Sequence, residues 1–185
     1  IAKVMHARGQ TWLTPLGFDN GYRVLVTPEN AKAFKRIDDL ARTKPLRVIA
    51  PAEFLQRPRD GLGALATRYG LTLTARPLLI ESPVERFAAL RDGRGDIAIG
   101  YATDGAIDDF QLVSLDDSAA FFPRYDAALV VRTARKTDRI DAALTPLAKR
   151  ITTSTMRRLN AAGELQGMQP AAVARRFVLQ QDLLK

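Results

Sequence analysis

The chain has 185 residues, 28 Lys plus Arg against 20 Asp plus Glu, one His and no Cys, for a formal charge of +8. Its 46% hydrophobic content can bury a core, which excludes wholesale disorder. The lack of cysteine excludes a disulfide scaffold, a thiolate nucleophile and a Cys-ligated zinc, and a single histidine excludes a multi-His metal site and disfavours a Ser-His-Asp triad.

The opening IAKVMHARGQTWL has neither an initiator Met nor the apolar core of a signal peptide. Residues 22–27 (YRVLVT) read as a short strand ended by Pro28. Over 29–42, Ala33, Phe34, Ile37 and Leu40 recur near helical spacing. Lys44-Pro45 stops that helix, because the residue before proline is pushed out of the α region. Residues 46–50 (LRVIA) predict a second strand. The stretch EFLQRPRDGLGALATRYG predicts an interrupted helix, broken at Arg57-Pro58 and Asp60-Gly61 and capped by Gly70.

Residues 71–80 (LTLTARPLLI) predict a strand. Ser82-Pro83 opens a helix with Ser at the N-cap and Pro at the first helical position. Its apolar face is Val84, Phe87, Ala88 and Leu90, and Gly93 and Gly95 end it. Residues 96–101 (DIAIGY) predict a buried strand, and 111–115 and 127–132 two more. The chain then turns helical over 138–150, 153–162 and 170–182, with Thr153 or Ser154 as a cap for the middle helix. The alternation from 22 to 101 is the rhythm of a mostly parallel α/β sheet, and 125–137 is the best candidate for a domain crossing.

No run of about 18 apolar residues is present to span a membrane as a helix. The basic residues are scattered rather than striped, so no nucleic-acid partner is expected. There is no Walker A loop and no GxGxxG. His6 has no expected role, and the pairs Asp38-Asp39, Asp108-Asp109 and Asp116-Asp117 read as caps and surface. Tyr22, Tyr101 and Tyr125 fall at strand ends or beside turns, where open α/β sheets bind ligands, while Tyr69 falls on a helix face and reads as core. No nucleophile–base pair stands out, so an enzyme is disfavoured and no cofactor is expected.

The strings EFLQRPRDGLGAL, ALRDGRGDIAIGYATDGAI, FFPRYDAALVVR and TMRRLN, with the opening TWLTPLGFDNGYRVLV, occur in this order along the whole chain. Together they resemble the osmoprotectant substrate-binding proteins of ABC importers, which take glycine betaine, choline, carnitine or proline betaine. The resemblance implies a two-lobe, type II periplasmic-binding-protein fold. Residues 22–127 would form one complete lobe, and 1–21 with 128–185 part of the other, with crossings near 22–27 and 127–132. An early ligand-contacting stretch and the family's Glu-Tyr-Thr-Gly-Thr motif have no counterpart here, so the first lobe is expected to be incomplete.

By the same resemblance Tyr22, Tyr101 and Tyr125 fall on cage positions for a quaternary ammonium. Such a group cannot donate a hydrogen bond and is held by aromatic faces. The carboxylate-binding arginine would be Arg57 or Arg59. Asn20 and Asp104 are candidates for backbone carbonyls near the ammonium, with capping of the following turn as the other role for Asp104, and Trp12 is expected to pack. The implied partners are a small quaternary ammonium or betaine ligand and a membrane permease. The implied location is periplasmic or otherwise extracytoplasmic, with a lipid anchor as one form of export. The same fold also serves ligand-sensing effector domains of transcription regulators, the alternative reading.

Overall fold

The apolar runs read from the sequence become strands buried on both faces. A computed structural model describes residues 2–148 and 150–183; Lys149, within the predicted 138–150 helix, lies outside them. In chain order the elements are α1 (Ala2–Ala7), β1 (Gln10–Asp19), β2 (Tyr22–Val26), α2 (Asn30–Ala33), β3 (Val48–Ala50), α3 (Ala52–Gln56), α4 (Leu62–Tyr69) and β4 (Leu78–Leu79). There follow α5 (Pro83–Arg91), β5 (Ile97–Tyr101), α6 (Ala106–Asp109), β6 (Val113–Ser114), β7 (Asp126–Arg132), α7 (Asp138–Leu144), α8 (Thr153–Glu164) and α9 (Pro170–Gln180).

Five strands form one sheet in the order β4-β3-β5-β2-β6. β3 runs parallel to β4 and β5, whereas β2 is antiparallel to both of its neighbours, β5 and β6. Four strands therefore point one way and β2 alone points back. The sheet is mostly parallel in strand direction, as expected, with β2 making it mixed. The connection from β2 to β3 carries the short α2 and a 3-10 segment, Ile37–Arg42, in place of the continuous crossover helix usual for a parallel return. Tyr22–Val26 supply this inner strand. The elements that stand apart are β1 and β7, an antiparallel two-stranded ribbon.

Helices cover both faces of the sheet. One cluster packs Phe54, Leu62, Leu65 and Tyr69 from α3 and α4 with Ile37 and Leu40. The other packs Phe87, Ala89 and Leu90 of α5 with Ala106 and Ile107 of α6. The buried members of both clusters all lie between Tyr22 and Phe122.

Several local expectations change. The helix predicted over 29–42 is broken after Ala33, because the Asp39 carboxylate accepts the Lys35 and Arg36 backbone N–H groups and so competes with helical bonding. The strand predicted over 71–80 contracts to Leu78–Leu79 plus a bridge at Leu73; Pro77, lacking an N–H, sits between them. The strand at 111–115 is only Val113–Ser114. β1 is a strand the pattern did not announce, since Pro15 and Gly17 interrupt it, and its register against β7 shifts on both sides of Pro15. The cap of α8 is Thr152, whose hydroxyl accepts the Thr155 N–H at 3.1 Å. Ser82 caps α5 and Gly70 ends α4 in the left-handed region, as predicted.

Candidate tyrosine site

The β2–β5 register places Tyr22 directly opposite Tyr101. Cross-strand partners share a face of the sheet, and here the rings stack with centroids 4.6 Å apart and planes 24° apart. Glu53 in the first turn of α3 accepts the Tyr22 hydroxyl at 2.6 Å and the Tyr101 hydroxyl at 2.5 Å. Each phenol has one proton, so with both given to Glu53 the 2.9 Å approach of the two hydroxyl oxygens adds no third bond. The two donors, Tyr101 first, hold the Glu53 carboxyl below its usual range. Burial, and then Glu53, pushes the Tyr22 phenol far up. Tyr22 is only 2% exposed, with Phe54 4.9 Å away. Its ring presents no open face, so Tyr22 backs Tyr101 instead of standing as an open cage wall.

Arg57 follows α3 as its C-cap. Its Nε and Nη2 donate to the two Asp60 carboxylate oxygens at 2.9 and 2.5 Å, a bidentate fork. Nη2 also donates to the Tyr125 hydroxyl at 2.9 Å, and that hydroxyl donates onward to Asp60 at 3.2 Å. The guanidinium lies 5.2 Å from the Tyr22 ring centroid. The Asp60 bonds raise the Arg57 pKa, and the Arg57 bonds lower that of Asp60. Tyr125 remains 43% exposed. Arg59 is exposed and makes no hydrogen bond or ion pair among the described residues.

Asn20 is brought to the cluster: its N–H donates to the Tyr125 carbonyl at 3.0 Å, and its side-chain oxygen accepts the Thr103 hydroxyl. Asp19 adds a second tie by accepting the Tyr125 N–H at 2.7 Å. Asp104 turns inward. Its carboxylate accepts the Tyr101 N–H at 2.8 Å and lies 3.7 Å from Arg86, while its carbonyl accepts the Ile107 N–H. Asp104 thus serves its own loop. Burial raises it to about 6, and burial also lowers Arg86. Trp12, expected to pack, is 40% exposed on β1.

Sequence reasoning named the three tyrosines, Arg57 and Asn20 but missed Glu53, Asp60, Asp19 and Arg86. A signal for Glu53 was available: it stands four residues before Arg57 in a short helical segment, the spacing of a same-face pair. Two cavities of about 470 Å³ lie along α8 and α9, away from the cluster. The cluster combines a partly exposed Tyr101 ring, an open Tyr125 ring, the Glu53 and Asp60 carboxylates and the Arg57 guanidinium. Aromatic faces beside a carboxylate suit a cation that has no hydrogen to donate.

The family model for the substrate binding domain of ABC-type glycine betaine transport systems matches residues 2–180. The chain belongs to this family. It is 30% identical over 199 aligned positions to a glycine-betaine-binding protein of Pseudomonas aeruginosa, covering all of this chain and 63% of that one. It is 28% identical to the carnitine transport binding protein OpuCC of Listeria monocytogenes, covering 91% of this chain and 56% of the relative. The chain therefore spans less than two thirds of the length of these curated relatives. A crystal structure of a glycine betaine/carnitine/choline ABC transporter protein superposes with a TM-score of 0.84 at 31% identity, over 96% of this chain and 66% of that one. The fold is accordingly that of type II periplasmic binding proteins, with one lobe represented in part. Among the described residues no helix is long and apolar enough to cross a membrane.

Proposed function

We propose that the chain belongs to the binding component of an ABC importer, capturing a compact quaternary ammonium solute such as glycine betaine, choline or carnitine. It would do so outside the cytoplasm and pass the solute to a membrane permease. Residues 22–127 would act as one lobe, with β1, β7 and the C-terminal helices belonging to the other. The observation that carries the reading is the pair of accessible rings, Tyr101 and Tyr125, set around Glu53 and Arg57. The names of the matched relatives support the solute class.

In this reading the ammonium sits against the open faces of Tyr101 and Tyr125, each worth about 0.5–2 kcal/mol. Tyr22 stiffens Tyr101 from behind. Glu53 orients both phenols and adds negative potential. Arg57, in preference to Arg59, meets the ligand carboxylate: its Nη1 has no hydrogen-bond partner among the described residues and is free to donate.

Calorimetry on the intact protein with glycine betaine, choline and carnitine tests this. Tyr101→Ala and Tyr125→Ala should each weaken binding by about 2- to 30-fold, the equivalent of one aromatic face, and the double variant should lose measurable binding. Unchanged affinity in the double variant would overturn the assignment. Arg57→Ala should weaken glycine betaine more than choline, which has no carboxylate.

A further inference from the structure

We propose that α8, outside the tyrosine site, sets the spacing of its two open rings, with Arg157, Asn160 and Glu164 as positioning residues. The proposal rests on the reading of Tyr101 and Tyr125 as the ligand-facing rings. These three side chains lie within the TMRRLN string and the turn after it, on one helical face. Arg157 Nε donates to the Ala102 carbonyl at 2.7 Å, and its Nη1 to Asp108 at 3.0 Å. Asn160 Nδ2 donates to the Thr103 carbonyl at 2.8 Å. Glu164 accepts the Gly105 N–H at 3.1 Å. One helix face thus satisfies three backbone groups of the loop that leaves Tyr101, the Ala102 and Thr103 carbonyls and the Gly105 N–H.

That loop is buried, with Ala102, Thr103 and Asp104 at 1, 5 and 7% exposure. Buried backbone groups need partners, and α8 supplies those that β5 no longer does. The docking is also close: a Cβ on Gly105 would lie 2.3 Å from the Ala161 nitrogen. From the loop the coupling continues to the second ring. The Thr103 hydroxyl donates to the Asn20 side chain, and the Asn20 N–H donates to the Tyr125 carbonyl. Asn160, Thr103, Asn20 and Tyr125 form one bonded path, and Tyr101 is joined to Thr103 through Ala102. A shift of α8 therefore moves the two rings relative to one another without touching either.

Two measurements on the intact protein test the proposal. In the ligand-free state, Asn160→Ala should move the Tyr125 and Asn20 backbone amide signals in NMR spectra as well as that of Thr103. In binding, it should weaken tetramethylammonium by at most about fivefold, the most that one lost internal hydrogen bond can pass to the site, and tetraethylammonium less, so that the ratio of the two affinities changes. Arg157→Lys keeps the charge against Asp108 but loses the Nε donor, and should act in the same direction; it carries the test if Asn160→Ala does not fold. Equal losses for both cations, tracking the drop in Tm with the Tyr125 amide unmoved, would reduce α8 to a structural prop and overturn the proposal. If the unaltered protein binds neither cation, the Tyr125 amide decides the coupling; the solute reading fails only if glycine betaine, choline and carnitine are not bound either.

Discussion

Between Tyr22 and Phe122 the chain buries Val24, Leu25, Val26, Ile37, Ile49, Phe54, Leu65, Phe87, Ile97 and Ile99 at 0% exposure. From Asp126 to Leu183, Val173 and Phe177 are the buried side chains among the described residues, each at 8%. α7 and α8 bury none. The sheet is therefore held by apolar contact, which is non-directional and tolerant of small shifts. The helical region is held to it by polar contacts from Arg157, Asn160 and Glu164, which specify position more than they add stability, and by Leu165 packing against the sheet cluster. The tyrosine site lies in the sheet region, and α8 reaches it only through the loop that follows Tyr101.

The largest expected effect separates the two regions by stability. Phe54 is sealed against Tyr22 and Phe122, so Phe54→Ala should cost about 3–5 kcal/mol in urea unfolding. Phe177 lines one side of a cavity of about 470 Å³. It is already short of neighbours, and Phe177→Ala should cost less than half as much. Equal losses would break the comparison.

Next comes the charge buried behind the site. Asp104 is raised from 3.8 to about 6 by burial. Between those values the folded state keeps a proton that the unfolded chain has released. This group's contribution is therefore fully present below about pH 4 and is lost as pH rises through about 6. The stability of the unaltered protein minus that of Asp104→Asn should fall by about 3 kcal/mol from pH 4 to pH 7. Glu53 and Asp60, whose pKa values are lowered, respond in the opposite sense but are present in both proteins, so the difference isolates Asp104. Urea melts at four pH values measure it, and a flat difference would mean that Asp104 does not feel its burial.

The same contrast explains what the sequence made legible. Apolar runs at 22–27, 46–50 and 96–101 announce buried strands because burial on both faces demands continuous hydrophobicity. Ser82, Pro83 and Gly70 announce helix ends because the chemistry of a cap is local. The reversal of β2 is invisible because strand direction is decided by how the intervening chain packs. β1 is masked by Pro15 and Gly17 and by the lack of a core face, as its burial pattern contains no buried residue. In the site, Tyr101 and Tyr125 could be named from their places at strand ends and from motif resemblance. Nothing in one dimension says that Tyr22 would be sealed behind Tyr101, because that depends on the register of β2 against β5 and on Phe54 closing the other side. Glu53 and Asp60 were hidden for a related reason: an acid becomes part of a site only through the partners brought to it.

The smallest predicted effect is the finest test of the two-region picture. Ser82 caps α5 in the sheet region, and Thr152 caps α8 in the helical region. The two lost bonds are chemically alike, so Ser82→Ala and Thr152→Ala should each cost about 1 kcal/mol. What should differ is where that cost is felt. α5 contributes Phe87, Ala89 and Leu90 to a buried cluster, so it opens only when the sheet does, and Ser82→Ala should accelerate hydrogen exchange throughout β2, β3 and β5. α8 buries no side chain, so it can open by itself. Thr152→Ala should accelerate exchange within α8 and at the Gly105 amide that Glu164 accepts, leaving the sheet amides unchanged. Acceleration of the sheet by Thr152→Ala would mean that the polar docking of α8 makes the two regions one cooperative unit.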